Sequence, residues 1–194
     1  DKIMKNLIRW PVSRYLNIWI VDFIEPGSGI VGYSYVPPTS LYIDGVVVLH
    51  DFLGNSGTAV GTNTNTLTHE LGHYLGLKHL WGKESFMPGE DICVINCDDI
   101  DCENSGDYVC DTDPLKSIHL VSTDFNCETI IPSDCESCAD FPKGQYFYET
   151  DNYMGYVDHC QDKFTEGQAH RMWCIIEDFR ANLPFEFENS CVSD

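Results

Sequence analysis

The chain has 194 residues, of which 43% are hydrophobic, and its 31 acidic against 11 basic side chains give a formal net charge of −20. That length suffices for one domain with a real core, or for two small lobes. A field of this sign repels phosphate backbones and anionic lipid, so neither nucleic acid nor a membrane is an expected partner, and no apolar run of about 18 residues is present to span a bilayer.

The first residues, Asp1-Lys-Ile-Met-Lys-Asn6, lack a signal-peptide pattern, so any export signal is expected to have been removed already. Residues 16–23 are apolar on both alternations, with Leu16, Ile18 and Ile20 on one and Trp19, Val21 and Phe23 on the other. This predicts a strand covered on both faces and central in its sheet. Glu25-Pro-Gly-Ser-Gly29 reads as a turn, and residues 30–36 as a second strand stopped by Pro37-Pro38. Asp44-Gly45 turns the chain into a short β-branched run, residues 46–49. The polar stretch 54–65 then offers several N-caps for a helix.

That helix carries His69-Glu-Leu-Gly-His73. Positions i and i+4 share a helix face, so two neutral imidazoles point the same way and can bind one Zn²⁺, with Glu70 beside them as a candidate general base. At about 100° per residue, Leu67, Leu71, Tyr74 and Leu75 fall on the far side and form a core face. Gly76 can leave the helix in a left-handed conformation, letting the chain turn back and supply His79 as a third ligand. Three protein ligands leave the fourth position of a catalytic zinc for water. The other histidines, His50, His119, His159 and His170, have no ligand spacing and are expected to be surface or satisfied polar residues.

Residues 84–113 hold ten carboxylates and four cysteines with no Lys or Arg, and show no periodicity. Irregular chain held by bridges is expected there. Asp98, Asp99, Asp101, Glu103, Asp107, Asp111 and Asp113 are hard oxygen donors suited to Ca²⁺, though the spacing is not that of an EF-hand loop, and a solvated acidic loop reads equally well. Ten cysteines, an even number, point to disulfides in an oxidising compartment, hence a secreted protein, with a pairing that spacing does not fix. Cys135-Glu-Ser-Cys138 has no second CxxC to complete a zinc ribbon. Thr165-Glu-Gly-Gln168 reads as a capping box opening a helix to about Ala181, whose Met172, Ile175, Ile176 and Phe179 lie on one face.

The segment from His69 to His79 resembles the long zinc signature of the metzincin metallopeptidases, and the pappalysin family in particular. Further resemblance lies in Tyr15-Leu-Asn-Ile-Trp-Ile20, Asp44-Gly-Val-Val-Val-Leu49, and Asn152-Tyr-Met-Gly-Tyr156 followed by Phe164-Thr-Glu-Gly-Gln168 and Arg171-Met172. It runs from about Arg9 to Arg180. The resemblance implies an α/β (α+β) metzincin-like fold in one metallopeptidase domain, residues 1–194. A mixed twisted sheet and zinc helix would form the upper lobe, about residues 1–79, and an irregular disulfide-bonded part with the C-terminal helix the lower lobe, about residues 80–194. It also implies that Met154 forms the apolar floor of a Met-turn and that Tyr156 donates to the reacting carbonyl. Calcium is implied near Gly106-Asp-Tyr-Val-Cys-Asp-Thr112, as a structural ion. The pocket for the residue after the scissile bond would be formed by Val157-Asp-His-Cys160, with Asp158 as the carboxylate for Arg or Lys.

The expected function is thus that of a secreted, monomeric zinc endopeptidase acting on protein or peptide substrates. Two alternatives are a processing protease with few targets and a non-catalytic binding protein stabilised by metal. Glu70 argues against the last, since structure alone needs only the histidines.

Overall fold

A computed structural model of the chain describes residues 1–59, 65–81, 102, 106–112, 122–123, 129–130, 151–156 and 160–181. The chain divides into two compact units, Asp1–Leu77 with Ala169–Asp194, and Lys78–Gln168.

The first unit contains α1 (Lys2–Leu7), β1 (Ile18–Val21), β2 (Gly32–Ser34), β3 (Val46–Leu49), α2 (Thr66–Tyr74) and, from Ala169 onward, α3 (Glu166–Phe179). The strands lie in the order β1-β3-β2. β1 runs parallel to β3 with Ile18 opposite Val46, and β2 runs antiparallel to it with Gly32 opposite Val48. Val46, Val47 and Val48 are at most 1% exposed, which makes β3 the covered, central strand. α2 lies over β2 and β3. Its predicted apolar face is the one used, because Tyr74, Leu67, Leu71 and Leu75 pack with Leu16 against Val46.

β1 was expected at the centre and instead stands at the edge among the described strands, with Ile18 and Ile20 exposed. Both are in register with β3 residues that α2 covers, but α2 is centred over β2 and β3, so the outer row is left open. An all-apolar run identifies a strand without fixing its place in the order.

On the opposite face Val47 shares a row with Trp19 and Tyr33. Lys5 of α1 reaches this face, fully buried, with Nζ 5.2 Å from the Trp19 ring centre and 5.0 Å from those of Tyr33 and Tyr35. The ammonium donates to the Ile43 carbonyl at 2.7 Å and pairs with Asp1 at 3.1 Å. Burial lowers its pKa to about 8, against the raising effect of the Asp44 carboxylate.

Asp44 itself is 3% exposed and takes both terminal nitrogens of Arg180, at 2.6 and 2.9 Å. The Arg180 guanidinium also lies 3.4 Å from the Tyr74 ring centre and donates through Nε to the Tyr74 carbonyl at 3.1 Å. One arginine just past α3 therefore joins the entry of β3 to the exit of α2. The neighbouring Gly45 has φ +129°, and a Cβ there would stand 2.5 Å from the Asn17 carbonyl, so only glycine fits that turn.

In the second unit, β4 (Ser122–Thr123) and β5 (Thr129–Ile130) form an antiparallel pair. A Cys102–Cys110 disulfide closes the loop that Asp107 organises by accepting from the Val109 N–H and the Thr112 hydroxyl. The predicted capping box is present: Gln168 N–H donates to Thr165 Oγ1 at 3.1 Å, and Thr165 N–H donates to Gln168 Oε1 at 3.0 Å. Asp111 adds a cap from 56 residues away, accepting from the Gly167 N–H at 2.7 Å.

Two outcomes test this description. Arg180→Ala leaves Asp44 buried without its cation, and urea denaturation should show a loss of about 3–5 kcal/mol. The second concerns Lys5, whose folded pKa near 8 lies below its ordinary 10.5, so the unfolded chain binds more protons between those values. Stability should therefore rise with pH from about 8 to about 10.5, a slope absent from Lys5→Met in the same measurement.

Candidate metal centre

α2 brings His69 and His73 onto one face a turn apart, with ring centroids 4.7 Å apart and planes at 87°. The helix ends in a Schellman turn. Gly76 N–H donates to the His73 carbonyl at 3.0 Å and Leu77 N–H to the Gly72 carbonyl at 2.9 Å, with Gly76 at φ +90°. The chain then reverses to His79. One local stretch of chain thus supplies all three imidazoles, which are 7, 9 and 7% exposed and each offer a ring nitrogen within 4.8 Å of the others. His73 Nδ1 lies 2.9 Å from the Leu77 carbonyl, which can only accept. Nδ1 therefore carries the proton and Nε2 is left as the metal-facing donor atom. Three buried imidazoles with one tautomer fixed from behind fit a zinc site.

Glu70, between His69 and His73 on α2, is 6% exposed. It packs against Gly32 of β2, where a Cβ would stand 3.0 Å from Glu70 Cγ and 2.9 Å from Thr66 Cγ2. A backbone hydrogen bond from Ser34 holds the carboxylate, and Oε2 has no hydrogen-bond partner among the described residues. Burial pushes the metal-free carboxyl up to about 8, with the Ser34 bond pulling the other way. A divalent cation at the imidazoles would favour the ionised form.

Within the second unit, Trp81 stacks on the His79 ring at 4.3 Å and 14°. Tyr156 meets both rings edge-on, 5.0 Å from each, and its hydroxyl lies 3.1 Å from His79 Nε2. Met154 is fully buried, and its N–H donates to Asn152 Oδ1 at 2.9 Å. Asn152 pairs amide to amide with Gln168, at 2.9 and 3.2 Å, so the turn around Met154 hangs on the capping box of α3.

The pattern of peptidase family M43, described as pregnancy-associated plasma protein-A, matches residues 1–177. The chain belongs to the pappalysin family of metzincin metallopeptidases. It is 32% identical over 187 residues to an extracellular metalloprotease of Colletotrichum graminicola, covering 92% of this chain and 55% of that protein. With mouse pappalysin-1 it shares 28% identity over 177 residues, covering 90% of this chain and 10% of that protein. Among solved structures, Tannerella forsythia mature mirolysin in complex with a cleaved peptide is similar at TM-score 0.57 and 26% identity, covering 90% of this chain and 57% of that one. The chain spans about half the length, 55%, of the curated fungal relative it matches.

As a pappalysin, the chain brings His69, His73 and His79 together and sets Tyr156 against the third of them. Asp158 and His159 lie outside the described residues, as do Cys135, Cys138, His119 and most of the acidic segment. His50 is satisfied as expected, 3.0 Å from both Asp22 and Asp51. Sequence reasoning passed over Gly32 and Trp81, and had Arg171 only as part of the stretch that resembles the family. Gly32 did carry a signal, because a glycine inside a strand marks close approach of another group. Trp81 carried none, and nothing local gave Arg171 its carbonyl partner, since stacking and carbonyl capture depend on tertiary placement.

Proposed function

We propose that this chain carries the catalytic machinery of a secreted zinc endopeptidase that hydrolyses peptide bonds in protein or peptide substrates. The observation that carries the reading is the buried Glu70, with a carboxylate oxygen engaged by no described hydrogen-bond donor, beside three clustered and buried imidazoles. Membership of a peptidase family and a relative named as an extracellular metalloprotease support the same class. Disulfide-bonded Cys102, Cys110, Cys160 and Cys174 support an oxidising, extracellular setting.

His69, His73 and His79 would hold a Zn²⁺ ion, which would supply Lewis acidity to lower the pKa of a water toward neutrality. Glu70 takes a proton from the attacking water and returns it to the leaving amine. Its burial raises its pKa, which opposes the lowering that a cation at the imidazoles would bring. The Tyr156 hydroxyl donates to the oxygen of the tetrahedral intermediate. At 48% exposure that side chain has room to move toward a substrate while its ring stays against His79. Met154 closes the floor with an apolar surface that binds nothing itself.

Asp158 is assigned to the pocket for the residue after the scissile bond, where a carboxylate would take a guanidinium in a bidentate pair. The net charge of −20 adds steering toward basic peptides. Calcium enters only as a structural ion of the acidic segment. Asp107 and Asp111 already accept from Val109, Thr112, Thr165 and Gly167, so the other carboxylates of the segment are the better candidates for it.

The decisive experiment is Glu70→Gln in purified protein. Zinc content by elemental analysis should be unchanged while peptide turnover falls by at least 10²–10⁴, the range base catalysis contributes. Turnover near that of the unaltered chain would sink the mechanism. A peptide-library digest read by mass spectrometry should show cleavage before Arg or Lys, and Asp158→Ala should erase that preference with zinc retained. Cleavage before Leu or Phe would mean an apolar pocket.

A further inference from the structure

We propose that Arg171 is a positioning residue for the metal centre, acting from α3 through the turn that follows α2; the inference rests on the zinc reading above. Its Nε donates to the Gly76 carbonyl at 2.9 Å, across 95 residues of sequence. Gly76 is the hinge of that turn, and each neighbour of its carbonyl bears on a ligand. Gly76 N–H is bonded to the His73 carbonyl, and Leu77 N–H to the Gly72 carbonyl. The Leu77 carbonyl in turn accepts from His73 Nδ1 at 2.9 Å. A rotation of the 76–77 peptide would move the acceptor that sets the His73 tautomer and would redirect the chain two residues before His79.

The packing around this contact leaves little slack. A Cβ on Gly76 would stand 2.4 Å from Ile175 Cγ1, so the α3 face meets the turn directly, one helical turn beyond Arg171. Arg180 makes the second attachment, through Nε to the Tyr74 carbonyl. Two guanidinium groups thus capture carbonyls at the C-terminal end of α2, where unpaired carbonyls and the negative end of the helix dipole favour cations. Arg180 is itself anchored by Asp44 and sets the helix against the sheet. Among the described residues the Arg171 side chain makes this one hydrogen bond and no ion pair, so its bond reads as dedicated to the turn. Its bond is to a backbone carbonyl of the turn and to none of the three histidines, and for that reason it is placed as a positioning residue.

The test measures zinc affinity, not activity, by competition with a chelator of known affinity, on the unaltered chain, Arg171→Met and Arg171→Lys. Met keeps the apolar stem and removes the donor; Lys restores one donor. Loss of groups that orient metal ligands from behind weakens binding about 10–100-fold, and Arg171→Met should sit near the tenfold end, with Arg171→Lys recovering part of it. The melting temperature of the metal-free protein should stay within about 3 °C of the unaltered chain, while the zinc-loaded difference is larger. Should Arg171→Met not fold, Arg171→Gln carries the same comparison. Affinity within twofold of the unaltered chain overturns the inference alone. An equal drop in melting temperature with and without zinc does the same, by reducing Arg171 to general support. No zinc uptake by the unaltered chain overturns the zinc reading and this inference with it.

Discussion

A nine-residue helix leaves its last carbonyls without intrahelical partners, and the way α2 disposes of them governs the placement of the histidine cluster. The Leu71, Gly72 and His73 carbonyls are taken by N–H groups of residues 75–77, which forces the chain through a left-handed glycine. The Tyr74 and Gly76 carbonyls go to arginines of the C-terminal segment. The turn that results carries its own acceptor, the Leu77 carbonyl, back to His73. The placement of the histidines follows from backbone hydrogen-bond satisfaction.

The second governing pattern is the alternation Gly32-Tyr33-Ser34-Tyr35. The small residues of this stretch meet Glu70, through the missing Cβ of Gly32 and a backbone bond from Ser34. Tyr33 and Tyr35 face the other way and enclose the Lys5 ammonium. A three-stranded sheet of β-branched and aromatic residues therefore holds one buried carboxyl and one buried ammonium on opposite sides. Each is desolvated in a different manner. Burial raises the pKa of the metal-free Glu70 carboxyl, whereas the Lys5 ammonium is met by ring faces, a carbonyl and Asp1.

Local features were readable from the sequence because their causes are local. The i, i+4 histidines, the glycine exit, the apolar side of α2 and the reciprocal bonds of Thr165 and Gln168 all depend on residues within a turn or two. Strand order was not readable, since the run around Ile18–Val21 looks the same at the edge as at the centre. Nor were the Asp44–Arg180 pair, spanning 136 positions, or the capture of Gly76 by Arg171. An isolated arginine on a helix gives no sign of which carbonyl it will meet. Composition marked Asp111 as a hard oxygen donor and gave no sign that it also caps α3 by accepting from the Gly167 N–H.

The paired amides of Asn152 and Gln168 carry one more consequence. Two facing amides ordinarily have two equivalent arrangements, related by exchanging oxygen and nitrogen on both. Here the Met154 N–H points at one amide oxygen and the Thr165 N–H at the other, which removes the degeneracy. Turning either amide over would set nitrogen against nitrogen at a backbone position and oxygen against oxygen within the pair. The two side chains behave as a keyed joint, closed in one orientation or open. Amide protons of Met154 and Thr165 then share a single opening event, and their hydrogen exchange reports one cooperative unit formed from a turn and a helix start.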